Sequence, residues 1–71
     1  MSAYALRACA LIRLTARAGE WVALDDLVSH LGVRVERVRN VCQQLVEASL
    51  VHHATRDGRD FFGIGVEGVQ P

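Results

Sequence analysis

The chain has 71 residues, room for one small domain, and its 51% hydrophobic and 23% charged content belongs to a folded globular chain rather than a disordered one. Eight arginines and no lysine balance eight acids, so the zero net charge excludes a polybasic membrane patch and gives no bulk attraction for a polyanion. No apolar run reaches the ~20 residues of a membrane span, no signal-peptide pattern opens the chain, and two cysteines are too few for a disulfide framework, so a cytoplasmic protein with reduced thiols is expected.

Residues 3–18 are rich in alanine and leucine and carry no breaker, which predicts a first helix closed by Gly19. Its residues Tyr4, Ala5, Ala8, Cys9, Leu11, Ile12, Leu14 and Ala16 cover more than half the circumference, wider than the stripe of a lone surface helix. The helix is therefore either central to the core or also used at a subunit interface. Trp21-Val22 reads as a short extended piece, a third strand beside the C-terminal hairpin. A second helix is expected from Leu24 to Leu31, with Leu24, Leu27, Val28 and Leu31 facing inward at i, i+3, i+4 and i+7. Asp25 and Asp26 occupy its first turn, where the helix dipole favours acids, and Gly32 stops it.

A third helix is predicted over residues 35–48. Val35, Val38, Val41, Cys42, Leu45 and Val46 fall on one side, and Glu36, Arg37, Asn40, Gln43, Gln44 and Glu47 on the other, with Arg39 on the flank. Leu50 to Thr55 reads as a strand, Asp57-Gly58 as a two-residue type I′ turn, and Asp60 to Ile64 as the return strand. That loop length sets Thr55 against Asp60, His53 against Phe62 and Val51 against Ile64. The domain is expected to span residues 1–65, with 66–71 a flexible tail.

The order helix, helix, tight turn, helix, hairpin resembles the winged helix-turn-helix plan: mainly α, with three helices and a two-stranded wing. Leu27-Val28-Ser29-His30-Leu31-Gly32-Val33 is similar to that family's second helix and turn. Val38 and the phrase Leu45-Val46-Glu47-Ala48-Ser49-Leu50-Val51 are similar to its helix end and strand start, and Asp57-Gly58 with Phe61, Phe62 and Ile64 to its wing. The resemblance spans residues 3–65. Tyr4-Ala5-Leu6-Arg7-Ala8 also resembles the opening helix of regulators that hold an iron–sulfur centre on a cysteine cluster, which this chain lacks. Three positions depart from the pattern. Arg34 and Ala23 stand where a capping Ser or Thr is usual, at a cost of about 1 kcal/mol each, and Ser49 stands where Gly is preferred.

The resemblance implies a regulator of transcription, a repressor by occlusion, that binds double-stranded DNA as a homodimer without a cofactor. The third helix would enter the major groove with Arg34, Glu36, Arg37, Arg39, Asn40, Gln43 and Gln44 toward the DNA. Arg pairs with guanine, Asn and Gln with adenine, and Glu with cytosine. Arg56 and Arg59 at the wing tip would meet phosphates. Tyr4, Ala8, Leu11 and Ile12 would form the dimer surface. The plainer reading of the same residues is a solvated helix face and a hairpin tip kept soluble by charge. The alternative function is a protein-docking module that uses the same surfaces without touching DNA. Adjacent His52 and His53 point to opposite faces of a strand and do not share a metal ion, and no catalytic motif is present, so neither a metal nor an enzymatic activity is expected.

Overall fold

A computed structural model describes all residues 1–71. Its elements are α1 (Ala3–Ala16), β1 (Val22–Ala23), α2 (Leu24–Leu31), α3 (Val35–Glu47), β2 (His52–Arg56) and β3 (Arg59–Gly63). The strands form an antiparallel sheet of order β1-β3-β2, which with the three helices makes a winged-helix-like fold. No helix is long and apolar enough to cross a membrane.

Ser2 starts α1, its Oγ accepting the Ala5 N–H at 3.1 Å. Leu6, Ala10 and Leu14, four residues apart, are fully buried against the other two helices. The helix stops at Ala16, two residues short of expectation. The N–H groups of Arg17 and Ala18 turn back to the Leu14 and Thr15 carbonyls, and that of Gly19 donates at 2.7 Å to the Ile64 carbonyl after the hairpin. A tertiary bond thus takes up the donor that would have prolonged the helix.

β1 is one residue later than the predicted Trp21-Val22. Val22 and Ala23 pair with Phe62 and Phe61, and both are buried. Trp21 instead sends its indole N–H to the Val69 carbonyl at 2.7 Å. α2 has the expected bounds and buries Leu24 and Leu27. α3 buries Val38, Val41, Cys42 and Leu45. Neither Ala23 nor Arg34 makes a side-chain cap, so both helices begin without one.

Ser49 ends α3 in the left-handed region, at φ 61°. Its N–H donates to the Val46 carbonyl and that of Leu50 to the Leu45 carbonyl, the paired bonds of a Schellman motif. This is the conformation for which glycine is favoured, so Ser49 adopts a backbone geometry that its Cβ makes less favourable.

The hairpin turn is Asp57-Gly58, at φ 52° and 75°, as a type I′ turn requires. His53 faces Phe62 and Thr55 faces Asp60, as the loop length dictates; the ladder begins at His52, so Val51 precedes it. Phe62 enters the core formed by Leu6, Leu14, Leu27, Val38 and Leu45, and burying a side chain of that size contributes about 1.5–3 kcal/mol.

Residues after the expected boundary at 65 make contacts with the domain. Val66 has no exposed surface and lies over Gly63, where an added Cβ would stand 2.9 Å from a Val66 methyl. The Val69 carbonyl holds Trp21, and the Pro71 carbonyl accepts a bond from Arg56. One apolar side chain and two backbone acceptors dock residues that carry no periodic signal.

Candidate nucleic-acid interface

The burial of Val38, Val41 and Leu45 fixes how α3 is rotated. The column opposite them is Glu36, Asn40, Gln43 and Glu47, all exposed. The remaining polar residues divide between two flanks. On the α1 side, Arg37 donates to the Met1 carbonyl, and the Gln44 carbonyl oxygen accepts from Arg7 Nη1 at 3.2 Å. On the hairpin side, Arg39 Nε lies 3.9 Å from Asp60 Oδ2. Of the expected reading residues, Asn40, Gln43 and Glu36 therefore point outward, while Arg37, Gln44 and Arg39 border them and are tied to neighbouring elements.

Arg34 is the N-cap residue of α3, with φ −64° and ψ 145°, and its exposed side chain makes no cap bond. The first N–H groups of any helix lack intrahelical acceptors and favour an anion. Arg34 and Arg37 sit at that end, and neither has a carboxylate partner. Four other arginines are paired: Arg17 with Glu20, Arg39 with Asp60, Arg56 with Asp57 and Arg59 with Asp25.

The wing arginines are thus partly committed. Arg59 reaches back 3.6 Å to Asp25 in the first turn of α2, and Arg56 lies 3.9 Å from Asp57 while also bonding the Pro71 carbonyl. Exposed pairs of this kind contribute about 0–1 kcal/mol, so they hold the two guanidinium groups only weakly.

Asp60 joins the hairpin to α3. Its Oδ1 is 2.8 Å from His53 Nε2, its Oδ2 faces Arg39, and the His53 ring stacks on Phe62 with centroids 4.9 Å apart. The sequence reading missed this bridge. The signal was available, because the two-residue turn makes His53 and Asp60 diagonal neighbours on one face of the ladder.

The expected dimer residues lie on α1. Tyr4 and Ile12 are 76% and 68% exposed, Ala8 is exposed, and Leu11 is half-buried against the core. Cys42 is buried and Cys9 half-buried, both as free thiols; burial pushes the Cys42 thiol up to about 12. Compared with protein-family models, curated proteins and solved structures, the chain matches none of them.

Proposed function

We propose that the chain binds double-stranded DNA and regulates transcription by occluding a promoter, with α3 in the major groove and the β2–β3 hairpin along the neighbouring backbone. The observation that carries this reading is the charge at the start of α3. In a molecule with as many acids as arginines, Arg34 and Arg37 are left without carboxylate partners beside the positive end of a helix. Asn40 and Gln43 then stand outward in the next two turns, where base edges would lie. Arg34 and Arg37 meet phosphates and fix the register; Asn40 and Gln43 read adenines.

The test is fluorescence anisotropy on a duplex enriched by the chain from a random pool, at about 50 mM salt, where counterion release favours binding. The double substitution Arg34→Ala with Asn40→Ala is expected to weaken binding at least tenfold, with the circular dichroism of the fold preserved. Wild-type affinity in the double variant, or no enriched duplex at all, would refute DNA binding.

A second reading, protein docking by α3 without DNA, draws on Glu36 and Glu47. Both stand in the outward column and would face phosphates unfavourably. Under that reading, Glu36→Gln with Glu47→Gln leaves DNA retention absent; under the first, the same change tightens it.

A further inference from the structure

α1 turns two faces outward from its axis, and both are apolar. One buries Leu6, Ala10 and Leu14; the other presents Tyr4, Ala8, Ile12 and Ala16 to water, with no charge among them. Apart from the flanking Arg7, Arg13 and Thr15, the helix is apolar over a wider arc than a single buried face requires. Beside the exposed ridge runs an open groove of about 280 Å³ between α1 and the last turn of α3. Ala8, Leu11 and Ala48 line it together with Tyr4 and Leu50, and Leu50 is itself 52% exposed. Arg7 and Gln44, bonded to each other, are its polar lining. On the far side of the ridge, Arg13 and His30 border a second groove of about 380 Å³.

The charge on this face is of one sign. No Asp or Glu lines either groove, and neither Arg7 nor Arg13 has a carboxylate partner, although the chain carries eight acids. We infer that the groove between α1 and the end of α3 receives an amphipathic helix of another protein, apolar on the buried face and bearing Asp or Glu on the edge that meets Arg7.

The lining residues suit a helical partner. The small Ala8 and Ala48 allow close approach, and apolar anchors at i, i+3, i+4 and i+7 of the incoming helix pack along Tyr4, Leu11 and Leu50. A carboxylate at Arg7 replaces the neutral Gln44 oxygen and makes a charge-assisted bond. A second copy of the chain suits the site less well. A two-fold contact through this face sets α1 against α1, so every charge brought to the interface is positive. The inference is independent of the DNA reading, since it concerns α1 and the C-terminal end of α3 rather than the start of α3.

The test pans a displayed library of helical peptides on the full chain. The peptides carry leucine at i, i+3, i+4 and i+7, with Glu or Lys randomised at the flanking positions. Enrichment of Glu on one flank is expected, with the selected peptide bound at least tenfold more tightly than its Lys counterpart. Arg7→Glu, checked for fold by circular dichroism, is expected to reverse that preference, while Leu50→Ala weakens both peptides. Equal recovery of Glu and Lys, or no recovery of either, overturns the inference. So does a dimer in sedimentation that Ile12→Glu dissolves, or uptake of the chain by phosphatidylglycerol vesicles with no acidic-peptide preference.

Discussion

Arg34 places two demands on one position. The backbone there has the extended geometry of a helix N-cap, yet the side chain supplies no oxygen to the orphan N–H groups of α3. Arg34→Ser is expected to stabilise the fold by about 1 kcal/mol in urea melts, and at the same time to loosen the enriched duplex. A variant that gains stability and keeps full affinity removes Arg34 from the interface. Cys42 gives a pH signature. Its thiol is held up to about 12 by desolvation, against 9.0 when unburied. Between those values the unfolded chain has released the proton and the folded chain has kept it. Stability is therefore full below pH 9 and falls as pH rises toward 12, by up to about 1.4 kcal/mol per unit. Melts at pH 8 and 10 should show a drop in the wild type that is smaller in Cys42→Ala. At this scale the sequence reveals residue types better than partners. Asn40 and Gln43 are legible as outward residues because helical periodicity fixes them. The tie of Arg37 to Met1 depends on the chain end and that of Arg59 to Asp25 on how β3 packs beside α2, for which periodicity says nothing.

Elements were legible wherever a local rule acted alone. The Asp57-Gly58 turn fixes the strand register by its length, so His53 and Thr55 meet their predicted partners. α2 has its predicted ends because a first-turn acid pair and Gly32 bracket an unbroken apolar period. Tertiary bonds moved two others: Gly19 to Ile64 shortens α1, and Trp21 to Val69 shifts β1 by one residue. The docked segment after β3 escaped notice because a lone Val66 among glycines forms no pattern. Its seat is Gly63, whose missing side chain leaves room for both Val66 methyls and the Glu20 carbonyl within about 3 Å of a built Cβ. Gly63→Ala is expected to cost about 1–3 kcal/mol by overpacking. Val66→Ala should reduce that penalty, so the pair is less than additive in a thermal double-mutant cycle.

Across the whole molecule, zero net charge hides a division. Two of the four paired arginines, Arg56 and Arg59, lie on the hairpin, and the four without a carboxylate partner, Arg7, Arg13, Arg34 and Arg37, lie on α1 and at the start of α3. Binding to DNA should therefore be only moderately sensitive to salt. With Arg34 and Arg37 alone on phosphates, log K against log salt has a slope of about −2, steepening to about −4 when Arg56 and Arg59 leave their acids. A slope near zero in titrations between 50 and 200 mM salt contradicts the phosphate role of all four. The seated C-terminus has a practical consequence. Trp21 is the chain's sole tryptophan, and its indole is moored to the same short segment whose end carbonyl Arg56 grips. The molecule thus contains an intrinsic fluorophore wired to its wing, and a shift in emission would report, with no dye attached, the moment that arginine lets go.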